Sequence, residues 1–279
     1  MKIINKFYLT ILYLSFYSSI YAVNLQAYID DLGGSMTLSD IHATTSAVSI
    51  PAAYASCGSV PPNTVTGVSF TSGLAYKDGT LYGLEWDGGT GPDIYLYAYS
   101  PGPCAVGTRV GVMPIGEINL ESLAYCESNH MFYSVNFDFG THFGELVVID
   151  PETGQGGSIG VLMDENVRVT GMVCDDDVLW AVTSGFGGPP PMGRDPELIA
   201  IDPNSGMFGV VGLLMLPALE VESIAIDPAF PGRLYAAGKA LYVVDKTSGL
   251  ATQVESETYD EVWGMAATDV IFANRFELF

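Results

Sequence analysis

Positive charge is scarce in this chain. Ten Lys and Arg stand against 32 Asp and Glu over 279 residues, a formal net charge of −22. A field of that sign repels nucleic acid and anionic lipid, so neither is expected as a partner. It suits a solvated acidic surface, a bound cation or a basic partner. Histidine is scarcer still, with only His42, His130 and His142. Cysteine is limited to Cys57, Cys104, Cys126 and Cys174, at spacings unlike a zinc ribbon. A structural metal held by Cys and His is therefore not expected. Nucleophile signatures are missing too: there is no GxSxG elbow and no HExxH. No segment shows helical periodicity. Beyond the first 22 residues, nothing offers the ~18 unbroken apolar residues of a membrane span.

Those first 22 residues read as a secretory signal. Lys2 and Lys6 form a basic start, an apolar run extends from Phe7 to Ile20, and Ala22 supplies the small residue for cleavage. The alternative is an uncleaved anchor, which the polar Asn24 and Gln26 immediately afterwards disfavour. Loss of Lys2 and Lys6 leaves 8 basic residues facing 32 acidic ones, a charge of −24. Four cysteines in an exported chain suggest two disulfides. A secreted domain spanning 23–279, in the periplasm or outside the cell, is the expectation.

What the chain does contain is a repeat. "LVVIDPETGQGGSIG" (146–160) returns as "LIAIDPNSGMFGVVG" (198–212) and "LYVVDKTSGLATQVE" (241–255). Looser copies are "LYAYSPGPCAVGTRVG" (96–111) and "MTLSDIHATTSAVSI" (36–50). Each reads as strand, turn, strand, with Gly154, Gly206 and Gly249 placed to take positive φ in the turn. A second element precedes the copies: "SGLAY" (72–76), "ESLAY" (121–125), "TGMVC" (170–174), "ESIAI" (222–226) and "WGMAA" (263–267). A third carries an aromatic at a fixed place, namely Tyr82, Tyr133, Trp180 and Tyr235. Successive second elements lie 49, 49, 52 and 41 residues apart.

A unit of this length with four strands, here named A to D, is the size of a β-propeller blade. A solenoid or sandwich of hairpins is the alternative. Small residues on strand A fit the crowded axis, and an aromatic on strand B can fill the wedge between blades. The first C–D copy lacks an A and B, and the last strand A lacks a C and D. Joining them, with "DVIFANRF" (269–276) as the last strand B, gives an all-β propeller of five blades closed by a composite blade. Residues 36–50 are then expected to share a sheet with 263–274.

The repeat resembles the secreted bacterial propellers whose blades read "LYxIDPxTGxxxxVG", within the quinoprotein-like and YVTN-like group. The resemblance implies the architecture and says little about activity, because propellers host many chemistries. The tryptophan-docking motifs of the quinone enzymes are absent, so no quinone is carried over.

Candidate site residues follow from the antiparallel order of strands. Strand A starts and B–C loops share one face of the disc, at the mouth of the channel. Strand A opens with Ser72, Glu121, Thr170, Glu222 and Trp263. Glu121 and Glu222 put carboxylates near the axis, where each needs a cation, a donor or water. The long B–C loops add Trp86, Asp87, Asp138, His142 and Arg194 as ligand-binding candidates. Calcium held by Glu121 and Glu222 is one cofactor this pattern accommodates. Propeller hydrolases of the gluconolactonase type carry a calcium at this mouth, and the likeness here is the "ES" opening two blades. The other reading is a binding module for a protein, glycan or small molecule, acting as a monomer. Asp150, Asp202 and Asp245 are read as turn residues on the opposite face. Neighbouring blades place the cysteines for 57–104 and 126–174 pairings.

Overall fold

The computed structural model describes residues 21–31, 35–44, 48–49, 70–86, 94–99, 107–112, 120–138, 141, 143–162, 168–184, 195–216, 221–227, 230–254 and 262–272. Every regular element among them is a strand. The N-terminal segment gives β1 (Tyr21–Asp31), β2 (Ser35–Thr44) and β3 (Val48–Ser49). The first blade is β4 (Phe70–Lys77), β5 (Thr80–Trp86), β6 (Ile94–Tyr99) and β7 (Gly107–Val112). The second is β8 (Ala124–Cys126), β9 (Met131–Asp138), β10 (Phe143–Ile149) and β11 (Gly156–Val161). The third is β12 (Arg168–Asp175), β13 (Val178–Ser184), β14 (Glu197–Ile201) and β15 (Phe208–Leu213). The fourth is β16 (Val221–Ile226), β17 (Arg233–Gly238), β18 (Leu241–Asp245) and β19 (Ala251–Gln253). The last strand, β20 (Val262–Phe272), completes a further four-stranded sheet in the order β20-β1-β2-β3.

All these pairings are antiparallel. The strands β4, β8, β12, β16 and β20 touch in succession, and β20 touches β4. A ring closed in this way has no exposed end between first and last blade. The molecule is a β-propeller.

The composite closing sheet exists, but its make-up differs from expectation. Residues 263–274 do not supply both inner strands. Asp269–Phe272 continue β20, and β1 takes the second place, between β20 and β2. The reason is legible in residues 23–29, where Val23, Leu25, Ala27 and Ile29 alternate with more polar residues at period two. Such a segment makes a strand, and it displaces the shorter "DVIF" from that role. The "MTLSDIHATTSAVSI" copy also shifts. Asp40 pairs with Gln26 within β2, which runs on to Thr44.

The core lies between blades. One apolar layer joins Leu84, Leu96 and Ala75 of the first blade to Phe132, Val147 and Ile149 of the second. The next joins Tyr133 and Leu146 to Met172, Leu179 and Ile201, and a third joins Val182 and Leu198 to Leu234 and Val244. The strand B aromatics fill these wedges. Tyr82 packs on Phe132 of the next blade, ring centroids 4.9 Å apart. Trp180 lies under Lys246 of the next blade, with the ammonium 4.8 Å from the ring centroid.

Two glycines of the repeat meet across the blade boundary. A Cβ on Gly111, at the end of one blade's strand D, would lie 1.8 Å from the Thr153 carbonyl oxygen in the next blade's turn. A Cβ on Gly154 would lie 2.8 Å from Gly111 Cα, and its φ of +66° already favours glycine. Gly212 meets the Ser248–Gly249 turn in the same way, 1.9 Å from the Ser248 oxygen. The "TG" and the closing "G" of the repeat are thus two halves of one joint. The same joint between second and third blades is slacker, with Gly160 and the Ser205 oxygen at 3.4 Å. That boundary carries the Cys126–Cys174 disulfide, Cα atoms 5.2 Å apart. Cys57 and Cys104 lie outside the described residues.

Candidate functional site

Each inner strand is interrupted at the place the aligned motif predicts nothing unusual. Register shifts fall between Ser72 and Leu74, between Val169 and Gly171, and between Val221 and Ser223. In the second blade Leu120 bridges Asn136, and regular pairing resumes only at Ala124. In β20 the shift lies opposite Tyr28 and Ile29. A bulge leaves its extra residue out of the ladder and re-aims the side chain. The residues released are those that open the motif or follow it, including Thr170 and Glu222. Gly73 shows why small residues are needed there. Its φ is +68°, and a Cβ would lie 2.3 Å from the Leu123 amide nitrogen.

The bulges surround a small cavity of about 10 Å³ on the axis, to which all five inner strands contribute. Thr170 donates its hydroxyl to the Val221 carbonyl at 2.8 Å, tying third blade to fourth. Ser223 donates to the Ala237 carbonyl at 3.3 Å, and Ser134 donates to the Ser122 carbonyl at 2.5 Å. The hydroxyl of Ser122 itself is buried and has no hydrogen-bond partner among the described residues. Glu222 lines the same cavity and is 8% exposed.

Glu121 is held differently. Arg168, at the start of the neighbouring inner strand, donates Nε and Nη2 to its two carboxylate oxygens at 2.5 and 2.7 Å. Both side chains are mostly buried, at 19% and 17% exposed. A bidentate fork of this kind binds a carboxylate firmly and neutralises its charge. The sequence reading passed over Arg168. Its signal was rarity: it is one of ten basic residues, two places ahead of a strand A motif.

Of the remaining expected site residues, only Asp138 has a described side chain. Asp138 ends β9, is exposed, and accepts a bond from the Thr141 hydroxyl at 2.8 Å. Trp86 ends β5; its side chain, and Asp87, His142 and Arg194, lie outside the described residues. Among the described residues no three His, Cys, Asp or Glu side chains cluster as a metal site.

The other face is built from turns that satisfy themselves. Asp150 accepts the Glu152 and Thr153 amides at 2.7 and 3.2 Å, while its carbonyl accepts the Gly154 amide at 2.8 Å. Asp202 accepts the Asn204 amide at 2.9 Å and the Ser205 hydroxyl at 2.7 Å, and Asp245 repeats the pattern with Thr247 and Ser248. The Asn204 amide holds the Asp202 carboxyl below the usual carboxylate range, and the Thr247 hydroxyl does the same for Asp245. Lys77 pairs with Glu152 at 3.5 Å, and Lys246 pairs with Asp175. These contacts confirm that A–B and C–D turns share one face, opposite the strand A starts.

No protein-family model matches the chain, and no curated protein sequence matches it. Solved structures similar to it include the nidogen/laminin complex, at 11% identity over 89% of this chain and 98% of that chain, TM-score 0.49. TolB from Acinetobacter baumannii is similar at 10% identity over 90% and 67%, TM-score 0.45. The WD40 β-propeller domain of Doa1 is similar at 12% identity over 70% and 56%, TM-score 0.39. Among the described residues no helix is long and apolar enough to cross a membrane.

Proposed function

We propose that this protein is a secreted binding module whose ligand site is the mouth of the central channel, on the face where the inner strands begin. The observation that carries the reading is the bulge-lined axial cavity, which holds Glu222 and an unpartnered Ser122 hydroxyl. A few convergent polar groups in an apolar wall are what fix a ligand's orientation. Secretion is supported by the basic and apolar N-terminal segment and by the Cys126–Cys174 disulfide. A calcium site using Glu121 would first have to displace Arg168 from both oxygens, so the binding-module reading is preferred to a calcium-dependent hydrolase.

The test is a ligand screen read by thermal melting, since whatever binds only the native state raises the midpoint. The panel holds amines, sugars, amino acids and calcium chloride. The expected result is at least one class that raises the wild-type midpoint and fails to raise that of Glu222→Gln. Shifts that survive in Glu222→Gln, or no shift with any class, would sink the proposal.

A further inference from the structure

The chemistry of the axial cavity narrows its ligand. A buried hydroxyl with no partner is costly, and the one on Ser122 points to a group that arrives from outside. Glu222 brings a carboxylate to the same space. Leu74, Leu123, Met172 and Ile224 make much of the remaining wall apolar. About 10 Å³ is room for one water-sized group, the size of an ammonium head.

We infer that this cavity takes the head of a primary alkylammonium, an inference that rests on the channel mouth being the ligand site. The argument is one of donors and acceptors. An ammonium has three N–H donors and no acceptor. The Ser122 oxygen and the Glu222 carboxylate are both acceptors. A carboxylate offers several lone-pair positions, so Glu222 can receive the ligand alongside a protein partner. The apolar side chains around it suit the carbon next to the ammonium, with the rest of the stem lying outside the cavity. Calcium would ask for six to eight oxygens, which this wall does not supply. An anion would meet the charge of Glu222. The amine can be a free small molecule or the tip of a lysine side chain offered by a partner.

The experiment titrates the full chain with n-butylammonium chloride to tens of millimolar, following the melting midpoint and heat of binding. n-Butanol, butyrate and butyltrimethylammonium serve as matched probes. Butylammonium should bind saturably, and the other three at least ~tenfold more weakly, because each lacks charge, sign or N–H donors. Glu222→Gln should weaken butylammonium by ~tenfold or more and Ser122→Ala by several-fold. Equal binding of butanol or butyltrimethylammonium would overturn the ammonium inference without any appeal to variants. Glu222-dependent binding of another panel class, with none of butylammonium, would overturn it and leave the channel-mouth reading intact. No Glu222-dependent binding of any class would remove both. A blocked Gly-Lys-Gly peptide and its norleucine counterpart separate the sources. Lysine-dependent binding tighter than that of butylammonium assigns the site to a partner's side chain, and weaker binding assigns it to a free amine.

Discussion

The two faces of this propeller are made by opposite rules. On the turn face the blades agree. Asp150, Asp202 and Asp245 hold the same loop with the same bonds, and glycine meets glycine across the joint. On the mouth face the blades disagree. The aligned opening positions hold Ser72, Glu121, Thr170, Glu222 and Trp263; Arg168 holds Glu121, whereas Thr170 donates to the Val221 carbonyl. Repetition here is the mark of scaffold, because every blade has the same neighbour to fit. Departure from the repeat marks the place where the ring meets something that lacks its symmetry.

Five measurements test that contrast. The largest effect is expected at the disulfide. Replacing Cys126 and Cys174 together with Ala opens a 48-residue loop and should cost about 4 kcal/mol in the chain-entropy account. Denaturant unfolding reads this directly, and an unchanged midpoint would mean the second and third blades hold without the staple. Gly111→Ala comes next, at about 3 kcal/mol, because a Cβ there has nowhere to go. Gly157→Ala has nothing within 4 Å of its Cβ and should be neutral or slightly stabilising. Equal effects for these two would undo the account of the joint.

Third is Arg168→Ala. It strands a mostly buried Glu121 and should cost about 2 kcal/mol, less than a fully buried pair because both partners keep some exposure. Arg168→Met with Glu121→Leu should recover most of the loss. If the double variant is no better than the single one, the pair does more than cancel charge.

The two smallest effects are read by pH. Burial, with the nearby Asp227 carboxylate, pushes the Tyr235 phenol up to about 12. An unfolded tyrosine ionises near 10, so the unfolded chain gives up its proton first. Stability from this group is complete below about pH 10 and is lost as pH rises toward 12. Tyr235→Phe should flatten that alkaline limb in a series of melts. Asp202 and Asp245 act in the reverse sense. Their folded carboxyls ionise below the unfolded value of about 3.9, so their contribution is present above that pH and is lost as pH falls through the folded values. Asn at both positions should make the acid limb slightly shallower and leave ligand binding at the mouth unchanged.

Much of the fold was legible because the repeat writes the same local chemistry several times. Asp-Pro, Thr-Gly and the strand B aromatic each follow from a contact within one blade or its nearest neighbour. The site was less legible because bulges depend on how two strands register, which the composition of either one alone does not fix. Glu121 was found as a carboxylate near the axis, but its partner Arg168 lies 47 residues away in another blade. Strand β1 was overlooked because its alternation begins beside the apolar N-terminal run and belongs to no copy of the repeat.

The closing sheet has a consequence in time. Leu25 and Ala267 are ladder partners, yet the whole of the four other blades is made between them. At about 5–20 residues per second the earlier one waits tens of seconds for the later. Until then the edge of β1 that β20 covers has no partner, and an open edge of about ten residues is long enough to recruit the wrong strand. Folding of this ring is therefore governed by its last segment to appear. A chaperone that shields the first fifty residues would raise yield more than one acting on any complete blade.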